Sequence, residues 1–168
     1  MRILVVCTGN QHRSPMAQAI LTALLTGRGI SAQVRSAGFI MGGAALPTET
    51  GQALAAIGLD GALPSFRSVQ ATPEIMAGAD LIVGMAREHV REVVVTVPDA
   101  WDHTFTLKEL VRRGGEVGPR APDEDLDTWL ARVGEDRTRS ELLGSSADDD
   151  VEDPMGGRAS EFERTARE

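Results

Sequence analysis

The residues best suited to catalysis lie in one short segment near the N-terminus. Cys7 is the only cysteine in the chain, and Arg13 and Ser14 follow it after five intervening residues. A cysteine thiolate is a strong nucleophile, and the planar guanidinium of arginine can hold two phosphoryl oxygens at once, which lysine cannot do. Cysteine and arginine at this spacing therefore indicate attack on phosphorus, with the arginine stabilising the charge of the transition state.

This segment connects two elements that the sequence predicts clearly. The apolar run at residues 3–6 is typical of a strand buried in a parallel sheet. The next apolar residues recur at helical spacing, and Pro15 predicts the first position of that helix. The residues predicted to bind a phosphoryl group are those of the connecting loop, namely Thr8, Gly9, Asn10, Gln11, His12, Arg13 and Ser14.

A loop at the carboxyl end of a parallel strand is a common place for ligands to bind. Its backbone N–H groups and those of the first helical turn can converge on an anion, and the helix dipole assists them. Gly9 and Asn10 tolerate the positive φ that such a turn requires. The same electrostatic field favours the thiolate form of Cys7 near neutral pH.

The rest of the chain predicts one α/β domain over residues 1–168, because strand and helix patterns alternate and such alternation gives a parallel sheet covered by helices. Further strands are predicted at residues 33–36, 81–85 and 93–97. Helices are predicted at residues 48–57, 73–79, 125–133 and 159–168, and after Thr106, whose spacing to Glu109 fits a capping box. Residues 134–150 are charged or small and predict a mobile surface segment.

The composition excludes several classes of protein. A formal net charge of −8 and a pI near 4.9 argue against a nucleic-acid partner. One cysteine excludes an intrachain disulfide and is typical of a protein in the reducing cytoplasm. No apolar run has the length of an export signal or a membrane span. We therefore expect a cytoplasmic protein that needs neither a membrane nor a nucleic acid.

No metal or organic cofactor is expected. His89 and His103 have no partners at metal-ligand spacing and are predicted to be surface or packing residues. Trp101 and Trp129 are predicted to anchor the core.

The segment VCTGNQHRSPMAQA resembles the V-C-x-G-N-x-C-R-S-P-x-A-E signature of the low molecular weight protein tyrosine phosphatases. The resemblance continues in order along most of the chain, through Ser36-Ala37-Gly38, the apolar strand at residues 80–85, and Val151-Glu152-Asp153-Pro154 ahead of a last helix. It implies a four-stranded, mostly parallel sheet with helices on both faces. It also implies a phosphoric monoester hydrolase that acts through a cysteinyl-phosphate, with phosphotyrosine proteins as substrates.

The same resemblance implies roles for single residues. Cys7 would be the nucleophile, Arg13 the phosphoryl ligand and Asp153 the general acid and base. Ser14 would donate a hydrogen bond to the thiolate, and Asn10, with Ser36 beside it, would hold the shape of the loop. Without the resemblance, Asp153 is one of several acidic residues in a run that suggests a solvated surface, and the reserve candidates are Asp99 and Asp102.

Three positions depart from the family pattern. His12 replaces the usual second cysteine of the loop, so Cys7 has no neighbour with which to form a protective disulfide. Phe66 stands where a histidine usually supports the loop asparagine, and Met155 stands where an aromatic residue is common. These changes weaken the assignment of phosphotyrosine as substrate more than they weaken the assignment of phosphatase chemistry.

Other functions remain open from the sequence. A phosphorylated metabolite could replace a phosphoprotein as substrate, and a phosphate- or phosphopeptide-binding module could use the same loop without turnover. A thiol-dependent arsenate reductase shares the loop and fold, but it needs additional cysteines that this chain lacks. The oligomeric state is not indicated.

Overall fold

All strands of the computed structural model, which describes residues 1–168, run parallel in one sheet. The strands are β1 (Arg2–Cys7), β2 (Gln33–Gly38), β3 (Leu81–Gly84) and β4 (Thr104–Thr106). Their order in the sheet is β2-β1-β3-β4, so β1 is a central strand, and residues 3–7 of it are all buried. The predicted α/β class and four-stranded sheet are confirmed.

Helices cover both faces of this sheet. They are α1 (Arg13–Gly27), α2 (Thr48–Ala56), α3 (Pro73–Ala77), α4 (Arg87–Thr96), α5 (Leu107–Val117), α6 (Leu126–Val133) and α7 (Ala159–Arg167). Alternate residues of β1 supply the two cores, because successive side chains of a strand point to opposite faces. Val5 packs with Phe105 and Leu130 on one face, and Val6 packs with Val93 on the other.

The strand predicted at residues 93–97 is wrong, since these residues lie almost entirely within α4. Val90, Val93 and Val94 are buried while Val95 is 73% exposed, which is the spacing of one helical face. The β-branched residues suggested a strand, but their periodicity against the core decides the structure. The fourth strand is instead the three-residue β4, which pairs with β3.

Two helix starts follow from local sequence. The predicted capping box is confirmed, because Thr106 Oγ1 accepts from Glu109 N and Glu109 Oε2 accepts from Thr106 N. Helix α1 begins at Arg13 rather than at Pro15, so Pro15 is its third residue. Arg13 and Ser14 therefore already belong to the first turn. No helix has the length and hydropathy needed to cross a membrane.

Residues 134–150 contact the rest of the domain at several points. They contain a 3₁₀ helix, Arg139–Leu142, and Leu142 packs against Val90 and Val94 of α4. Arg137 is buried between the rings of Trp101 and Phe105, 4.1 and 4.0 Å from their centroids. The mobility expected of this segment stays a prediction.

Candidate active site

The predicted phosphate-binding loop connects β1 to α1 at the carboxyl end of the central strand. Asn10 has φ 50°, a left-handed conformation that asparagine accepts better than most residues. Gly38 at the end of β2 supports the loop from below. A Cβ at this position would lie 2.6 Å from Asn10 N and 2.8 Å from Thr8 O, so the close approach of the two backbones requires glycine.

Asn10 is fully buried, and its side chain binds three neighbours at once. Its Nδ2 donates to Ser14 Oγ at 3.0 Å and to Ser36 Oγ at 2.8 Å. Its Oδ1 accepts from Val69 N at 2.8 Å. The backbone of Val69 thus provides support for Asn10 although Phe66 replaces the family's histidine. Ser36 was expected to support Asn10, and the hydrogen bond between Asn10 Nδ2 and Ser36 Oγ is a direct contact for that role.

The thiol of Cys7 is buried beside the hydroxyl of Ser14, with Sγ and Oγ 3.0 Å apart. Because Asn10 Nδ2 can only donate, Ser14 Oγ must accept that bond and keeps its own proton for another partner. Cys7 Sγ is closer than the alternative acceptor, Ala37 O, which lies 3.5 Å away. The geometry therefore directs the Ser14 proton to the sulfur.

Arg13 and Asp153 meet at the mouth of the loop, 140 positions apart in sequence. Arg13 Nη2 and Asp153 Oδ2 are 2.5 Å apart, with the Arg13 side chain 6% and the Asp153 side chain 38% exposed. Asp153 Oδ1 accepts from Met155 N at 3.1 Å, which fixes the turn through Pro154. The carboxylate is thus held at the edge of the site with one side open to solvent.

The chain just before Asp153 is tied to α4 and α5. Asp149 is buried and accepts from Arg87 Nη2 at 2.6 Å and from Arg112 Nη2 at 2.9 Å. Burial alone would raise the pKa of Asp149, but the hydrogen bonds from both arginines lower it overall. Asp150 Oδ1 accepts from Arg87 N at 2.8 Å, so it supports the first turn of α4. The acidic run expected to be solvated therefore anchors the turn that carries Asp153.

His12 contacts two helices. Its Nδ1 lies 2.8 Å from Thr50 Oγ1, whose own proton goes to Gln11 O at 3.0 Å. Its ring meets Phe162 of α7 edge-on, with centroids 5.1 Å apart. Burial lowers the pKa of His12, although the negative charges of Asp153 and Glu49 act to raise it. His12 therefore fixes the loop to α2 and α7.

His89 is the site residue that the sequence did not reveal. It is buried, its ring stacks on Phe39, and its Nε2 lies 3.0 Å from Thr8 Oγ1. Burial and the charge of Arg13 lower the pKa of His89 to about 3, so the ring is neutral at pH 7. The expectation of a packing residue was incomplete. A lone histidine in an amphipathic helix carries no sequence signal for a contact 81 positions away.

The mouth of the site has an apolar and an acidic part. Ile40 Cδ1 would lie 3.5 Å from a Cβ on Gly9, so this 52% exposed side chain covers one edge of the loop. Met155, 61% exposed, lies two residues after Asp153. A cavity of about 370 Å³ adjoins Arg13 and Asp153, and its other charged lining residues are Glu88, Arg91, Asp150 and Glu152.

The other chemical candidates lie elsewhere. Asp99 and Asp102 belong to the 3₁₀ helix Pro98–His103 and line a separate cavity with Asp127, which no residue of the phosphate-binding loop lines. Trp101 and Trp129 are half-buried and pack against core clusters, as expected. No group of three or more histidine, cysteine or carboxylate side chains has the arrangement of a metal site.

Comparison with known proteins agrees with the loop and the sheet. The profile of the low molecular weight phosphotyrosine protein phosphatase family matches residues 2–123. The chain belongs to this family. It is a cysteine-based phosphatase, a hydrolase of phosphoric monoesters, and the position of Cys7 in the phosphate-binding loop fits the nucleophile of the family.

Relatives of this phosphatase differ in their named substrates. A protein-arginine-phosphatase of Geobacillus stearothermophilus is 36% identical over 146 residues, covering 80% of this chain and 94% of the relative. The low molecular weight protein-tyrosine-phosphatase Etp of Escherichia coli K12 is 34% identical over 123 residues, covering 73% and 80%. A solved YwlE arginine phosphatase, a cysteine-to-serine mutant with a phosphorylated active-site serine, has a TM-score of 0.70 at 26% identity, covering 99% of this chain and 87% of that one.

Proposed function

We propose that this phosphatase hydrolyses phosphotyrosine in proteins, with Cys7 as nucleophile, Arg13 as phosphoryl ligand and Asp153 as general acid and base. The observation that carries the proposal is the convergence of three groups at one loop. Cys7 Sγ contacts Ser14 Oγ at the buried base of the loop, and Arg13 is ion-paired with Asp153 at the opening of the loop. The phosphorylated active-site serine of the YwlE mutant, which replaces a cysteine, supports a covalent intermediate on the catalytic cysteine, which we assign here to Cys7.

The first half of the reaction breaks the bond between phosphorus and the leaving oxygen. Cys7 Sγ forms a bond to phosphorus as the P–O bond breaks, and the backbone N–H groups of the loop bind the phosphoryl oxygens. The guanidinium of Arg13 moves away from Asp153 and donates hydrogen bonds to two of these oxygens. Asp153 takes up a proton from solvent once Arg13 has left it for the phosphoryl group, and gives this proton to the leaving oxygen, since an unprotonated alkoxide or phenolate leaves poorly.

The second half returns the enzyme to its starting state. Asp153, now a carboxylate, takes a proton from a water molecule whose oxygen attacks phosphorus. The S–P bond breaks, and the electron pair returns to Cys7 Sγ as a thiolate that Ser14 stabilises. This chemistry requires a reduced Cys7, so we expect the enzyme to work in a reducing compartment such as the cytoplasm.

An apolar mouth favours an aryl phosphate. Ile40 and Met155 place exposed aliphatic and thioether surface on two edges of the site, where the ring of a phosphotyrosine would lie. Burial of a ring against such surface is favourable, and methionine sulfur makes good contacts with aromatic rings.

Phosphoarginine is the second candidate. It is favoured by the 36% identity to a protein-arginine-phosphatase and by Glu88, a 58% exposed carboxylate beside the site. Such a carboxylate would pair with the remaining charge of a guanidinium and has no counterpart on a phenol. Asp153 would then protonate the leaving nitrogen instead of an oxygen.

The deciding experiment compares two peptides of one sequence, one with phosphotyrosine and one with phosphoarginine. We expect hydrolysis of the phosphotyrosine peptide, abolished by Cys7→Ser and slowed about a hundredfold or more by Asp153→Asn. Asp148→Asn is the matched control, since this exposed aspartate lies in the same acidic run and should leave the rate unchanged. A clear preference for the phosphoarginine peptide, reduced selectively by Glu88→Gln, would establish the second candidate. Phosphate binding without turnover of either peptide would contradict both.

A further inference from the structure

His89 is a buried titratable residue that the proposed reaction does not use. Its ring stacks on Phe39 with centroids 6.0 Å apart and an interplanar angle of 7°. Packing alone does not require one of its nitrogens to face the phosphate-binding loop. Nevertheless Nε2 lies 3.0 Å from the hydroxyl of Thr8, the first residue after Cys7.

The surroundings of this nitrogen decide which tautomer is present. Nε2 faces two oxygens, Thr8 Oγ1 at 3.0 Å and Glu88 Oε1 at 3.4 Å. A carboxylate oxygen is only an acceptor, so it stabilises an N–H and repels a lone pair. We therefore place the proton on Nε2. Nδ1, which has no partner in the chain, is then a bare acceptor rather than an unpaired buried N–H.

This tautomer determines what the Thr8 hydroxyl can do. Thr8 Oγ1 accepts from His89 Nε2 and, at 3.4 Å, from Arg13 Nη2. Both acceptor positions of the hydroxyl are then used, and its own proton remains to be donated. No carbonyl or carboxylate of the chain accepts that proton. An unused O–H beside the guanidinium of Arg13 is well placed for an anion that Arg13 binds.

We propose that Thr8 donates its hydroxyl proton to a phosphoryl oxygen held by Arg13, and that His89 is the positioning residue that fixes this direction. The inference rests on the proposed function, because it requires a phosphoryl group bound to Arg13. His89 never touches the substrate and acts through Thr8. The bond from Thr8 is charge-assisted and strengthens as negative charge grows on the phosphoryl oxygens in the transition state.

A double-mutant cycle with p-nitrophenyl phosphate as substrate and inorganic phosphate as inhibitor tests this arrangement. Thr8→Val should lower kcat/KM about tenfold by removing one hydrogen bond to a charged group. His89→Leu should lower it about fivefold and weaken phosphate inhibition in parallel, as a partial loss of the same bond. Since His89 acts through Thr8, adding His89→Leu to Thr8→Val should change neither constant further. Effects that multiply in the double variant would overturn the inference.

Conservative variants separate positioning from packing. Thr8→Ser keeps the hydroxyl, and His89→Gln keeps an N–H donor where Nε2 lies. Both should retain kcat/KM within about twofold of the wild-type value, because the charged hydrogen bond is preserved. If His89→Leu does not fold, His89→Phe takes its place in the cycle, because it keeps an aromatic ring against Phe39 and also lacks a donor to Thr8. An inactive wild-type enzyme would contradict the proposed function, whereas an active one in which His89→Gln fails to restore activity would contradict only the role of His89.

Discussion

Arg13 Nη2 and Asp153 Oδ2 lie 2.5 Å apart, so the proposed phosphoryl ligand is paired with the proposed general acid. An incoming phosphate must displace this carboxylate from the guanidinium of Arg13. A negative charge on Asp153 opposes that exchange, because it attracts Arg13 and repels the phosphate dianion.

Replacing Asp153 with asparagine should therefore separate binding from turnover. We expect inorganic phosphate to inhibit Asp153→Asn several-fold more tightly than wild type, because one opposing charge is removed from a partly buried site. The same variant should lose about a hundredfold or more in kcat through the missing proton donor. Steady-state inhibition by phosphate measures the first effect. An unchanged or weaker inhibition would show that Asp153 does not compete for Arg13.

Asn10 should control the direction of the Ser14 proton. Asn10→Asp replaces the donating Nδ2 by an acceptor, so the Ser14 hydroxyl turns from Cys7 to the new carboxylate. We expect kcat/KM for an aryl phosphate to fall about a hundredfold, since the thiolate loses a donor and gains a neighbouring charge. Ser36→Ala is the control, because it leaves Asn10 two of its three partners and should cost only a few-fold. Equal losses in the two variants would contradict this role of Asn10.

Asp149 should stabilise the folded state in a pH-dependent way. Its pKa is lower in the folded protein than the ordinary value of 3.8, so the carboxylate contributes stability above that value and loses it as pH falls through the folded pKa. We expect Asp149→Asn to lower the free energy of unfolding at pH 7 by roughly 2 kcal/mol. The difference from wild type should shrink below pH 3.8. Urea unfolding across this range measures it, with Asp148→Asn as the control for charge alone; a pH-independent difference would count against the ion pairs.

His12 should determine how Cys7 responds to oxidants. With no second cysteine in the chain, oxidised Cys7 cannot be trapped as an intraloop disulfide and should proceed to sulfinic and sulfonic acids. His12→Cys supplies a resolving thiol, so thiol treatment should restore its activity after peroxide but leave most wild-type activity lost. Peptide mass spectrometry identifies the products. Full recovery of wild type by thiols would refute this expectation.

Local sequence predicts the parts of the site that are contiguous in the chain. The apolar strand, the Cys7 to Ser14 loop and α1 follow one another, so periodicity and residue type suffice to predict that Cys7 and Arg13 flank one strand-to-helix loop. The capping box of Thr106 and Glu109 is also local and was predicted correctly. The start of α1 was misplaced by two residues, because Pro15 is acceptable anywhere in a first turn.

Contacts between distant segments could not be predicted in the same way. Asp149 looked like part of a solvated acidic run, since its partners Arg87 and Arg112 lie 62 and 37 positions away. His89 lies in an amphipathic helix where nothing local signals its contact with Thr8. The valines of residues 93–97 favour a strand by residue type. In the structure these residues lie in α4, which packs against β3 and β4 and buries Val93 and Val94.

The phosphorylation of Cys7 during turnover tests the central proposal most directly. Wild-type enzyme mixed rapidly with excess aryl phosphate and quenched in neutral denaturant should carry one phosphoryl group, mapped by peptide mass spectrometry to Cys7. Cys7→Ser should release no phenol from the aryl phosphate in steady state. A phosphoryl group on any other residue, or turnover that survives in Cys7→Ser, would contradict the account.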